Sequence, residues 1–172
     1  MDSALQLIVE MTESTWQRFT NDLEDVTAEE AQWRPLPEAN SIALIVRHLA
    51  IEAHWHRACL ERGEAMPHDT TEDLQRAIDA VPLDFQDNMK SLEQDLAAFL
   101  SALKTITLAV LEQRTREAYR RWPSRPPHFL GFHQAMHVAM HLGQIRTIRN
   151  LYRKTRGEPA RFFPHNPTYP TP

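Results

Sequence analysis

Proline placement constrains this chain more than any other feature. Its twelve prolines stand at 35, 37, 67, 82, 123, 126 and 127, with five more after 158. A proline inside a helix removes a hydrogen-bond donor and collides with the preceding turn. Four long intervals remain open to regular helix: 1–34, 38–66, 83–122 and 128–158. With only four glycines, the chain is poorly supplied for the tight turns of a β-rich fold.

Apolar spacing fits these intervals. Leu5, Ile8, Thr12, Trp16, Phe19 and Leu23 recur every three or four residues, behind what reads as a capping box of Ser3 and Gln6. The second interval gives Ile42, Ile45, His48, Leu49, Glu52, Trp55, His56 and Cys59, with Ser41 as its N-cap. In the third the stripe is Phe85, Met89, Leu92, Leu96, Phe99, Leu103, Ile106 and Val110. The fourth gives Phe132, Met136, Met140, Ile145, Ile148, Leu151 and Tyr152, ending in basic residues and Gly157. No stretch alternates with period two for long enough to make a strand. The expected fold is an all-α four-helix bundle.

Its connections are long. Residues 25–40 hold room for a short helix capped by Thr27 and Glu30, and 63–82 contain the helical pattern TEDLQRAIDA, closed by Pro82. Residues 120–128 (RRWPSRPPH) read as rigid and extended. Such lengths predict crossover connections rather than a simple up-and-down series. The bundle is expected over 1–157, followed by a proline-rich C-terminal tail at 158–172. Phe162, Phe163 and Tyr169 in that tail suit packing on the bundle or on a partner.

A single cysteine, Cys59, excludes an intrachain disulfide framework and a Cys-rich zinc ribbon. The N-terminus carries acids and no basic n-region, unlike a signal peptide, and no apolar run reaches the length of a membrane span. A cytoplasmic protein is expected. Charge is split along the chain. Residues 1–111 hold 8 basic and 20 acidic side chains, a balance of −12; residues 112–172 hold 11 and 3, a balance of +8. The simpler reading sets the two parts against each other in one fold. Nucleic-acid binding through the basic residues 114–125 is a weaker reading, opposed by the overall pI of about 6.1.

The histidines carry the chemistry. His133, His137 and His141 are spaced i, i+4, i+8 and so share one helix face. His48 occupies the apolar stripe of the second helix. Two imidazoles at i and i+4 can converge on one metal, and a third from a facing helix gives a three-His site with open positions. Core histidines also serve simply as hydrogen-bonded packing residues, so spacing alone leaves both readings open. Glu-x-x-His, HExxH, GxGxxG and P-loop motifs are all missing, which argues against ferritin-like, zincin, dinucleotide and P-loop sites. A bis-His haem between His48 and His141 lacks a supporting motif, and a Cys59–His nucleophile pair sits on a core stripe where thiols are inert.

Three stretches resemble the DinB-like superfamily, which includes the YfiT-type metal-dependent proteins. They are VTAEEAQWRPLPEANSIALIVRHLA (26–50), the less specific helical stripe of 83–111, and HVAMHLGQI (137–145). The likeness runs over most of 3–156. It implies a four-helix bundle with a divalent metal (zinc, nickel or iron) held by His48, His137 and His141. It also implies a homodimer and a low-molecular-weight thiol cosubstrate such as bacillithiol or mycothiol. One departure is Leu142, where a basic or histidine residue often precedes Gly-Gln.

The resulting expectation is a metal-dependent enzyme acting on a small-molecule substrate. It would transfer a thiol to a small electrophile, or run a related hydrolysis or isomerisation. Glu52 would act as base or support to the metal ligands, with Gln144 and His133 orienting ligands or substrate. Arg146, Arg149 and Arg153 would attract an anionic thiol. His54, His56, His68, His128 and His165 are read as surface or packing residues. The alternative is a non-catalytic dimerisation or binding protein with structural core histidines.

Overall fold

A computed structural model describes residues 2–68 and 70–162. They form seven helices and, among the described residues, no strand. Four are long: α1 (Ser3–Leu23), α3 (Ile42–Arg62), α5 (Phe85–Leu103) and α7 (Phe129–Thr155). Three are short: α2 (Ala28–Gln32), α4 (Thr71–Ala80) and α6 (Leu108–Ala118). Each long helix packs against two others, closing a ring in the order α1, α5, α3, α7. The short helices α2 and α4 rest on α3, while α6 lies against α3 and α7.

Helix starts follow side-chain chemistry. Ser41, Thr70, Asp84 and Thr107 each accept a hydrogen bond from a backbone N–H of the first turn, satisfying a donor the helix cannot. Thr70 and Asp73 complete a reciprocal capping box. The expected cap of α1 is corrected: Asp2 caps it, accepting from Ala4 N–H, and Ser3 is the first helical residue. Helix α3 stops at Gly63, whose φ of 70° is the left-handed conformation that a side chain disfavours.

Three further expectations change. The third interval is two helices, because Lys104–Thr107 breaks the run and Thr107 caps a new one. Two β-branched threonines favour such a break: Thr105 donates its hydroxyl to Ala102 O, and Thr107 accepts from Val110 N–H. Residues 120–128 are wound, not extended: Trp122 N–H donates to Tyr119 O, Arg125 N–H to Trp122 O and Phe129 N–H to Pro126 O. On α7, Met136 and Met140 are exposed, and the inward face carries Leu130, Gln134, His137, Val138, His141, Leu142, Ile145 and Ile148. The expected proline-rich tail lies largely outside the described residues. Within them, Asn150 holds the backbone of Arg161 and Phe162 through three hydrogen bonds of 2.9–3.0 Å.

The core has two apolar clusters. One gathers Phe19, Ile42, Ile45, Leu49, Leu92, Val138 and Ile145; the other gathers Leu5, Leu60, Leu96, Phe99, Leu111 and Leu130. Each such side chain contributes roughly 1.5–3 kcal/mol by leaving water. In the interval between the clusters, α3 carries His56 and α7 carries His133, Gln134 and His137. The apolar clusters thus hold a polar stretch of α3 against a polar stretch of α7.

The charge split also finds its place. Arg149, almost fully buried, donates to Glu30 at 2.7 Å and pairs with Asp25 at 3.0 Å. Arg146 pairs with Asp22 at 2.6 Å and Arg153 with Glu158 at 3.1 Å. These three arginines tie the basic end of the chain down, chiefly to its acidic beginning. They are engaged in ion pairs, which corrects their expected role as an anion lure.

Candidate metal centre

His48 comes from the second turn of α3, and His137 and His141 come from successive turns of α7. Helix packing brings all three together. The Nε2 atoms of His48 and His137 are 2.9 Å apart, and so are those of His137 and His141. A nitrogen atom from each of the three lies within 4.8 Å of the others. The expected ligand trio therefore converges.

Hydrogen bonding fixes which nitrogens are free. Gln144 Oε1 lies 2.8 Å from His141 Nδ1, so that nitrogen is the donor and Nε2 keeps its lone pair. His137 Nδ1 sits 3.3 Å from Glu52 Oε2, close to the carboxylate but without a hydrogen bond. His141 Nε2 therefore meets His137 Nε2 as a lone pair and not as a donor. Two imidazole nitrogens about 2.1 Å from one ion stand about 3 Å apart at a right angle between bonds. The observed 2.9 Å meets that requirement. Neutral imidazoles suit zinc, nickel or iron(II).

The surroundings keep the rings neutral. Burial, reinforced by the other imidazoles, holds His48 down to about 4 and His137 to about 2. His141 is lowered by burial too, against an opposing hydrogen bond from Gln144. Unprotonated imidazole is the form that binds metal.

Glu52, one turn after His48, places Oε1 3.8 Å from His48 Nε2. Burial raises its carboxyl to about 7. Gln144 and Glu52 therefore stand beside the trio. His133 lies one turn before His137, with ring centroids 5.2 Å apart.

The sequence reading missed His56. It is fully buried: Nδ1 donates to the Glu52 backbone carbonyl at 2.6 Å, and Tyr119 Oη donates to Nε2 at 2.7 Å. Its position four residues after Glu52 was the available signal, but Tyr119 stands at the C-cap of α6, 63 residues away. Glu52, His56 and His133 also offer atoms within 4.8 Å of one another. The two rings, however, are stacked at 4.6 Å and tilted only 17°. An imidazole binds a metal in its own plane, so parallel stacked rings do not aim at one ion. This second group has the wrong geometry for a metal.

The remaining histidines divide plainly. His54 pairs with Asp95 at 3.3 Å, His68 packs on Trp55, and His128 starts α7 without a side-chain cap. His165 lies outside the described residues. Cys59 is buried, which pushes its thiol up to about 12 and leaves it inert.

Residues 7–154 match the family model described as mycothiol-S-transferase. The chain belongs to that family, within the DinB-like superfamily. No curated protein and no solved structure matches it significantly. The mycothiol-S-transferase match covers all three converging histidines, along with Glu52, His56 and Tyr119. No helix among the described residues is long and apolar enough to cross a membrane.

Proposed function

We propose that the protein is a divalent-metal-dependent thiol transferase that joins mycothiol, or a related low-molecular-weight thiol, to a small electrophile. The convergence of three imidazoles, with His137 Nε2 2.9 Å from Nε2 of both His48 and His141, carries this reading, and family membership supports it. His48, His137 and His141 would hold the ion. A bound cation supplies the positive charge that makes a thiol acidic at neutral pH.

The chain's own groups complete the chemistry. Glu52, whose carboxylate lies beside His48 and His137, accepts the thiol proton. Gln144 fixes the tautomer of His141, and the Glu52 carboxylate lies 3.3 Å from His137 Nδ1. His133 lines the space next to Glu52 and steers the electrophile. The sulfur forms a bond to the electrophilic carbon while the leaving group departs with its electron pair. The products are a thioether and the acid of the leaving group.

The ring of four long helices is read as the DinB-type four-helix bundle, with 1–157 as one domain and 158–172 as its tail. Exposed Leu7 and Met11 on α1 and exposed Met136 and Met140 on α7, which packs against α1, offer apolar surface for a homodimer. A cytoplasmic location fits, since thiols are kept reduced there.

The test is consumption of mycothiol with a panel of alkyl and aryl halides. Transfer that stops on chelation and returns with zinc, nickel or iron(II) supports the proposal. Metal-loaded protein that consumes no thiol with any of them contradicts it.

A further inference from the structure

On the Glu52 side of the histidine trio lies a cavity of about 150 Å³. Its floor is Glu52, His56 and His133, and its walls are aromatic: Tyr119, Trp122 and Phe129. Tyr119 and Phe129 meet edge to face with centroids 5.1 Å apart, and Tyr119 and Trp122 do so at 6.3 Å. Such walls suit a flat organic body.

Arg125 stands at the rim. Its guanidinium lies 4.5 Å above the Phe129 ring, and among the described residues no carboxylate pairs with it. On α6, by comparison, Arg114 pairs with Glu117 and Arg116 with Glu112. The charge of Arg125 reaches inward, acting on both Tyr119 and His133. Two further groups in the lining, His133 Nδ1 and His68 Nδ1, are buried without a hydrogen-bond partner. Both rings belong to residues that line the cavity.

A second cavity, of about 180 Å³, opens on the other side of the trio and is lined by His48 and His141 with Asn40, Arg47 and Gln75. There the cation is spent, because Arg47 pairs with Asp79 at 3.0 Å and donates to Val81 O. The two approaches thus differ in chemistry. One is polar with its charge neutralised; the other is aromatic with an unpaired cation.

We infer that the aromatic cavity seats the electrophilic substrate and that Arg125 selects those bearing a carboxylate on a small flat body. The inference rests on the thiol-transfer reading for the word electrophile, but not for the binding itself. A guanidinium held over a ring presents its donors in the fork that matches a carboxylate. Aromatic walls hold the flat body.

The binding test uses the full chain as purified, without thiol. Benzoate and its neutral isostere benzamide serve as probes, read by quenching of Trp122 fluorescence with a Trp122→Phe control. Benzoate should bind at least about tenfold more tightly than benzamide, as expected when a charge-assisted pair is gained. Arg125→Gln should erase that preference while leaving benzamide affinity unchanged, and Arg125→Lys should keep part of it. The preference should persist in His137→Ala, which separates this site from the metal centre. No binding of either probe, equal binding, or a preference that survives Arg125→Gln overturns the inference. Loss of thiol transfer with the benzoate preference intact would instead count against the metal-enzyme reading alone.

Discussion

Glu52 and His137 face each other from α3 and α7, with a carboxylate oxygen 3.3 Å from the ring nitrogen Nδ1. The other nitrogen of the same ring points at His48 and His141, 2.9 Å from each Nε2. One imidazole therefore links a buried acid to a cluster of nitrogen lone pairs. A carboxylate this close to a ligating histidine raises the ring's basicity through its charge, which favours metal binding. The same acid lies 3.8 Å from His48 Nε2, within reach of a proton released beside the trio.

Glu52→Gln keeps the size and polarity of the side chain but removes the base. Turnover in thiol transfer should fall on the order of a hundredfold or more, the usual scale for a general base. Metal content should stay near that of the parent protein, because Glu52 stands behind the ligands. The acid limb of the kcat profile should be lost with it. Unchanged turnover would remove Glu52 from the mechanism.

Gln144→Leu tests the tautomer argument. Without the acceptor at 2.8 Å, His141 Nδ1–H loses its partner and the ring can turn. Metal affinity should weaken by about 10–100-fold, the range seen when such supports are removed. Competition with a chromophoric chelator measures this. An unaltered affinity would show that packing alone sets the ring.

Acid should destabilise the metal-free chain. Burial holds His48 and His56 near 4 and His133 near 3. Histidines in an unfolded chain titrate near 6.5. Between those values the unfolded state binds protons that the folded state refuses, so stability falls as pH drops below 6.5. Each such group contributes about 1.4 kcal/mol per pH unit over its window. Glu52 works the other way: raised to about 7, it favours the folded state at low pH and gives that up as pH rises. It offsets one histidine and leaves the rest. Urea midpoints of chelated protein should therefore decline from pH 7 to 4.5, and more steeply in Glu52→Gln. A flat profile would contradict the buried neutral assignment.

Arg149→Ala should cost roughly 3–5 kcal/mol, because it strands the buried carboxylate of Glu30. The melting temperature should drop by about 10 °C for a domain of this size. Replacing both members, Arg149→Met with Glu30→Leu, should recover most of the loss. If the single variant melts like the parent, the pair does not hold α2 to α7.

Much of this architecture was written in local chemistry. Pro82, Ser41 and the pattern TEDLQRAIDA mark helix boundaries by steric exclusion and capping, and those act within a few residues. His48, His137 and His141 were legible because helical spacing and family resemblance named the same three. Met136 and Met140 misled for a physical reason: the inward face of α7 carries Gln134, His137, His141 and Arg149. Buried polar residues blur an apolar period. The break at Lys104–Thr107 turned on a cap that a continuous apolar stripe conceals. His56 with Tyr119, and Arg125 over Phe129, depend on where α6 and the turns of 119–128 return to the core. Nothing local encodes that return.

The most direct test is the transition-metal content of freshly purified protein beside that of His137→Ala. The account predicts about one divalent ion per chain in the parent and almost none in the variant, since a three-ligand site does not survive loss of its central imidazole. A parent protein free of transition metal, or a variant that keeps the ion, would contradict it.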